Sequence, residues 1–220
     1  MEAGGVNNAI PGIPTDSGDL DAVDVDNPND TWNAVTAPAP SANGYGSFTL
    51  TAAGVWTYTL NNANAAVQAL SAGSALADSF TVTTVDGTSQ VVSITITGAN
   101  DTPVVTGAVD SGAVTEDVLP EAANGTIDFG DVDLADAHVT SVTPGGGSYL
   151  GTFTANVTND STGDGVGQVT WLFTADNALL QSRGDGQVLV QTYTVVIDDG
   201  HGGTDSQLVT ITINLSLIHI

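Results

Sequence analysis

Two short acidic motifs hold the residues best suited to chemistry in this chain. Asp24-Val-Asp26 and Asp131-Val-Asp133 each set two carboxylates one residue apart, and a further acid follows each, Asp30 or Asp136. Alternate residues of an extended segment point the same way, about 6.6–6.8 Å apart. Each pair therefore presents its oxygens to one side, where a cation could hold them. Short aspartate side chains are hard-oxygen ligands, and calcium takes roughly 6–8 such oxygens. The ordinary reading of Asp-x-Asp is turn chemistry, because Asp favours loops. Its occurrence at two matching places, with Asn100-Asp101 between them, favours Ca2+. The calcium loop of helix-loop-helix proteins is excluded, since its Gly and terminal Glu are missing. Overall charge points the same way. Of 25 acids 22 are Asp, against the single cation Arg183 and no Lys, for a formal net charge of -24. Such an imbalance strains the compact state by self-repulsion, and a bound cation relieves it. A solvated acidic surface, as in proteins adapted to high salt, is the rival reading.

Other chemistries find little support. No Ser stands in a Gly-x-Ser-x-Gly turn, and His138 and His201 lack a nucleophile context. Paired carboxylates can hydrolyse glycosides, but pairs that recur by repeat suit a structural ion better than one active site, so no enzyme activity is expected. With Cys 0 there are no disulfides, thiolate metal sites or cysteine nucleophiles. Asp198-Asp-Gly-His-Gly-Gly203 reads as a hairpin turn, with His201 a solvent-facing residue that has no His or Cys partner. One Arg cannot neutralise a phosphate backbone, which excludes nucleic acid. No stretch of about 18 apolar residues is present, so no membrane insertion is expected. The opening MEAGGVNNAIPG lacks the basic and apolar regions of a signal peptide.

The elements that must position the acids are strands. Trp56, Tyr58 and Leu60 alternate with Thr57 and Thr59, and Val92, Ile94 and Ile96 alternate with Ser93 and Thr95. Tyr193, Val195 and Ile197, then Val209, Ile211 and Ile213, repeat the pattern. Period two means half-buried strands, and Asp86-Gly87 and Asp199-Gly200 supply hairpin turns. Asn64–Leu70 is the one helical candidate, a turn or two crossing between sheets. The chain reads twice: Trp56 answers Trp171, Phe80 answers Tyr193, Ile94 answers Ile211 and Asp24 answers Asp131, at offsets near 110 residues. The expected fold is all-β, two tandem antiparallel β-sandwich modules. The first covers 1–99 and is cut short at its N-terminus. A linker, Asn-Asp-x-Pro, covers 100–106, and the second module covers 107–215. Residues 216–220 do not continue the repeat and resemble translated adapter sequence, so His219 is set aside. Trp56, Trp171, Phe80 and Tyr193 follow the inward phase. Trp32 and Tyr45 fall outside it and are the candidate platforms for a sugar.

Trp56-x-Tyr58-x-Leu60-Asn-Asn62, Asp78-x-Phe80-x-Val82, Asp86-Gly87 and Ile94-x-Ile96-x-Gly98-x-Asn100-Asp101-x-Pro103 together resemble a VCBS-type repeat. Trp171-x-Phe173, Gln191-x-Tyr193 and Asp199-Gly-His-Gly-Gly-Thr-Asp-Ser-Gln207 resemble the same family. Such repeats occur in tandem arrays of secreted bacterial RTX-class adhesins. The resemblance implies cadherin-like sandwiches, calcium at module junctions, type I secretion to the cell surface or exterior, and work in cell adhesion or biofilm. It implies Asn100, Asp101, Asp131 and Asp133 as ligands of one junction and Asp24 and Asp26 as ligands of a preceding one. Glu2 and Glu116, each opening a copy, resemble the glutamate that begins cadherin-like modules, without indicating which end of the module each serves. The implied role is a calcium-stiffened extender, with neighbouring repeats of the same polypeptide as partners and surface polysaccharide as a further candidate. The alternatives are a carbohydrate-binding module and accessory repeats of an extracellular hydrolase.

Overall fold

The chain divides into two compact units, Met1–Asp101 and Thr102–Ile220. The structure, a computed structural model, describes residues 1–23, 31–147, 149–181, 183 and 186–216.

Unit 1 contains β1 (Thr15–Asp19), β2 (Val35–Pro40), β3 (Gly46–Leu50), β4 (Val55–Leu60), α1 (Ala65–Gln68), β5 (Ala75–Thr83) and β6 (Ser89–Thr97). One sheet runs β1-β4-β3-β2, and the β5–β6 hairpin faces it as the second. The alternation works as expected. Tyr58, Leu60, Phe80, Val82, Val92, Ile94 and Ile96 are buried, while Thr57, Ser93 and Thr95 are not. Phe48 stacks on Phe80 with centroids 4.2 Å apart, and Trp56 meets the same ring edge-on. The hairpin turns at Gly87, whose φ of 95° suits glycine. Asn64 caps α1, its Oδ1 accepting from Ala66 N at 2.9 Å; this single turn carries the chain from one sheet to the other.

Trp32 departs from expectation. It is 5% exposed, and its Nε1 donates to Leu20 O at 3.0 Å. It sits on an isolated bridge to Thr84 rather than in a strand, so period two could not reveal that it points inward. Tyr45 is half-buried and packs against the same core.

Unit 2 contains β7 (Val104–Ala108), β8 (Ser111–Thr115), β9 (Ala122–Gly130), β10 (Val139–Pro144), β11 (Gly151–Asn159), β12 (Val166–Ala175), α2 (Asn177–Leu180), β13 (Val188–Asp198) and β14 (Thr204–Asn214). Its sheets run β11-β12-β9-β7 and β10-β13-β14-β8. Val169, Trp171, Phe173, Val195, Ile197, Val209, Ile211 and Ile213 are fully buried between them. Two features differ from the sequence reading. β8 pairs with β14 in parallel, because the incoming chain runs beside β9 as β7 and then crosses to the other sheet. α2 is a second helix, at the place α1 holds in unit 1, capped by the Asp176 side chain.

The two units share a contact that fixes their equivalence. Gly18 pairs with Trp56 and Gly125 with Trp171. A Cβ on Gly18 would lie 2.7 Å from the Trp56 ring, and one on Gly125 would lie 2.6 Å from the Trp171 ring. Only glycine lets these indoles lie flat on the neighbouring strand.

Candidate functional site

Buried acids collect at the ends of the units. Among the described residues Glu2, Asp78, Asp101, Glu116, Glu121, Asp131, Asp133, Asp136 and Asp199 are buried, and of these only Asp78 lies within a strand.

In unit 1, the Glu2 N–H donates to Thr97 O at 3.0 Å and the Gly5 N–H to Asn100 O at 2.9 Å. The opening segment therefore lies along the end of β6 and the connector, with Glu2 at Thr97 and Gly5 at Asn100. Glu2 is fully buried, and Gln68 at the end of α1 donates to its Oε1 at 2.6 Å. Ser71 Oγ, also buried, has no hydrogen-bond partner among the described residues. Unit 2 repeats the plan. The Glu116 N–H donates to Asn214 O at 3.0 Å, and Glu116 Oε2 accepts from Ser216 N at 2.8 Å. Glu116 Oε1 is buried with no hydrogen-bond partner among the described residues. Each glutamate thus lies at the outgoing end of its unit, where β6 or β14 finishes.

Asp131 and Asp133 lie at the other end of unit 2. They follow β9, whose nine residues span roughly 30 Å, and the Val104–Gly130 pairing places them where β7 begins. One ion cannot touch both Glu116 and Asp131. Asp24 and Asp26 lie outside the described residues, as does the tail from residue 217, including His219; Leu215 is buried in the unit 2 core.

Three loops converge on the incoming end of unit 2. The Asp133 N–H donates to Asp131 Oδ1 at 2.9 Å, and His138 Nε2 lies 3.1 Å from Asp131 Oδ2. His138 Nδ1 lies 2.8 Å from Oδ1 of Asp160, in the β11–β12 turn. The β13–β14 hairpin adds Asp199, whose Oδ1 accepts from His201 N and Gly203 N, and His201, whose Nδ1 lies 3.0 Å from Asp136 Oδ2. Asp136 is 1% exposed, and its Oδ1 has no hydrogen-bond partner among the described residues. Burial pushes the Asp131 carboxyl above its usual range, against the pull of the Asp133 N–H and the His138 ring.

Sequence reasoning passed over His138 for want of a nucleophile, yet it is the hub here. Its signal was compositional: with one Arg and no Lys, a histidine near these acids is one of few side chains able to offer them an N–H. His201 is solvent-facing as expected, at 43% side-chain exposure, but it also reaches Asp136. Ser161 Oγ stands 3.3 Å from His138 Nδ1, an outline of a hydrolytic triad. Ser161 is fully buried and Asp160 holds that nitrogen more closely, so no substrate reaches the hydroxyl. The arrangement is a structural polar network.

Among the described residues no three His, Cys, Asp or Glu side chains surround one point as a finished metal shell. The donor chemistry nevertheless fits calcium. Buried carboxylates with no Lys or Arg to balance them need positive charge, and the buried oxygen of Asp136 and that of Glu116 await a partner.

Residues 2–98 match the bacterial cadherin-like domain, so that stretch is similar to a cadherin-like repeat. No curated protein matches the sequence. Among solved structures, mouse clustered PcdhgC3 EC1-3 is 10% identical, with 76% of this chain and 50% of that one covered and a TM-score of 0.42. Extracellular cadherin domains 3-6 of protocadherin gamma B2 are 15% identical, over 93% of this chain and 43% of that one, at 0.46. The SrpA adhesin of Streptococcus sanguinis is 17% identical, over 52% and 57%, at 0.36. The chain thus spans about half the length of these structures.

Proposed function

We propose that the chain is a pair of calcium-stiffened extender repeats of a large extracellular adhesin, serving as spacer rather than as grip. The observation that carries this reading is the sorting of buried acids to the unit ends, in a chain with one Arg and no Lys. The match of residues 2–98 to a bacterial cadherin-like domain supports it, since domains of that kind generally bind calcium and are typically extracellular. Glu2, Asn100 and Asp101 would hold calcium at the outgoing end of unit 1. Asp131 and Asp133 would do so at the incoming end of unit 2, with Glu116 at its outgoing end. The ion supplies positive charge where the chain supplies almost none. The RTX-class setting, type I secretion and a part in biofilm belong to the same proposal. The burial of Trp32 weighs against the carbohydrate-binding alternative, because it leaves half-buried Tyr45 as the remaining platform. Among the described residues no helix is long and apolar enough to cross a membrane.

Scanning calorimetry in chelator, millimolar calcium and millimolar magnesium tests the proposal. An ion that binds only the folded state raises Tm, by an amount that grows with its concentration over Kd. Calcium should raise it most, because magnesium demands octahedral, partly hydrated sites. Identical melting curves in chelator and calcium would remove calcium from the reading.

A further inference from the structure

The two opening glutamates are held differently, and the difference traces to the residue after each. The short helices present matching glutamines: Gln68 and Gln181 each follow a fully buried anchor, Val67 or Leu180. In unit 1 the Ala3 N–H donates to Asn62 Oδ1 at 3.0 Å and the Glu2 N–H to Thr97 O. The opening segment is thereby pinned between the β4–α1 loop and the end of β6, where the Gln68 amide meets Glu2 Oε1 at 2.6 Å. In unit 2 the residue after the glutamate is Asp117, not alanine. At a φ of 62° its N–H donates to Glu121 Oε1 at 3.2 Å, and its own Oδ1 takes the Gln181 amide at 3.0 Å. Glu116 Oε2 accepts from Ser216 N, and Glu116 Oε1 stays buried with no hydrogen-bond partner among the described residues. Alanine offers no side-chain acceptor, so Gln68 goes to the glutamate; Asp117 offers one and draws Gln181 away.

The consequence for a bound cation is unequal. A buried carboxylate oxygen left without a hydrogen bond carries its desolvation cost in full, and an ion arriving at Glu116 relieves it. At Glu2 a charge-assisted bond, of the stronger kind, is already in place, so an ion gains less there. A glutamine beside a metal-binding carboxylate can instead serve to orient it. Unit 2 argues against that role, because Glu116 is 4% exposed and is fixed through its own N–H to Asn214 O and through the Ser216 N–H, without a glutamine. Glu2 is fixed by the same kind of backbone bond to Thr97.

We infer that Gln68 is a built-in stand-in for the cation at Glu2, its amide N–H occupying the carboxylate that an ion would otherwise neutralise. The inference rests on the calcium reading above and deepens it. The two outgoing ends are graded: Glu116 responds to low calcium, whereas Glu2 responds only at higher calcium and keeps a partner when calcium is scarce. Gln68 is thus an affinity-setting residue, and unit 1 holds its opening segment with less help from the ion than unit 2 does.

Calcium titration of the full chain, followed by NMR at the Gly5 and Ser216 amides, reads the two ends separately. Ser216 should reach its midpoint at about five- to tenfold lower calcium than Gly5. Gln68→Met keeps the length of the side chain and removes the amide. It should lower the Gly5 midpoint by a similar factor and, in chelator, lower the Tm of unit 1 by roughly 4–8 °C. Gln68→Ala should act in the same direction on both readouts, and Gln181→Met should leave the Ser216 midpoint where it is. A Gly5 midpoint that rises in Gln68→Met would overturn the stand-in and make Gln68 an orienting residue. Equal midpoints at the two ends of the unaltered chain would overturn the grading while leaving calcium binding itself intact. If neither amide moves in calcium, the calcium reading fails first and this inference goes with it.

Discussion

Replacing His138 with Phe keeps a flat ring against Phe129, 4.9 Å away between centroids, and removes both ring nitrogens. The contact with Asp131 is fully buried on both sides, whereas the Asp160 side chain is 31% exposed. Removing the ring leaves a buried carboxylate oxygen without its hydrogen bond, which costs about 1–3 kcal/mol and more for a charged group. The more exposed contact adds at most about 1 kcal/mol. Asp131 can relieve the strain by taking up a proton, at about 1.4 kcal/mol for each pH unit between its own value and the buffer. Burial has already raised that value, which limits the cost. A loss of about 3–4 kcal/mol at pH 7 is expected, a fall in the Tm of unit 2 on the order of 10–20 °C. The pH dependence has a definite sign. A carboxyl raised in the folded state is no burden below its unfolded value, about 3.9, and costs stability as pH climbs through the folded value. The deficit of the variant should therefore shrink from pH 7 toward pH 4. Calorimetry of the full chain in chelator at both pH values reads this directly. A deficit under about 1 kcal/mol at pH 7, or one that grows on acidification, would mean that His138 only fills space.

Asp131→Asn with Asp133→Asn keeps side-chain size and the acceptor for the Asp133 N–H, and calcium affinity by titration calorimetry should fall at least about tenfold; unchanged affinity would return the pair to ordinary turn acids. Gly125→Ala should destabilise by about 1–3 kcal/mol through crowding of Trp171, less about 0.4–1 kcal/mol recovered from the unfolded chain. Gly18→Ala should cost less, because Trp56 is only half-buried, and equal guanidinium midpoints for the two variants would count against the close-packing argument. Asp78 is buried, which alone would raise its carboxyl, but donors from Ser41, Asn43, Tyr58 and Ser79 prevail and hold it below the usual range. Its contribution is present above about pH 3.9 and lost as pH falls through the folded value, so Asp78→Asn should flatten the acid limb of unit 1 unfolding; an unaltered limb would show those bonds to be inert.

The strands were legible because one face of each is buried. Val209, Ile211 and Ile213 mark the core side of β14 at every second residue, and β6 reads the same way. Shorter pieces left no such trace. α2 spans four residues, too few for a helical period, and its only local sign is the capping Asp176. β8 reads Ser-Gly-Ala-Val-Thr, with a single large apolar residue, so neither its existence nor its parallel partner could be seen. The site divides along the same line. Asp131 and Asp133 stand out as a repeated motif, and Glu2 and Glu116 by resemblance. Asp160 and Asp199 join them only through the approach of separate loops, which no spacing along the chain records, while His138 shares the β9–β10 loop with them. Trp32 is the reverse case: its neighbours carry no period, and tertiary packing alone turns it inward.

A pull on the two ends of unit 2 loads β8 and β14 in shear. Tension reaches β8 from its N-terminal side through β7 and leaves β14 at Asn214, so the two parallel strands are drawn past one another in opposite directions. Their rungs, from the Thr210–Asp110 bond to the Glu116–Asn214 bond, lie across that force and bear it together, instead of opening singly as a peeled hairpin would. The load at which such a tether gives way is set by the simultaneous rupture of a short five-pair ladder, with Val114 drawn out of the core in the same step.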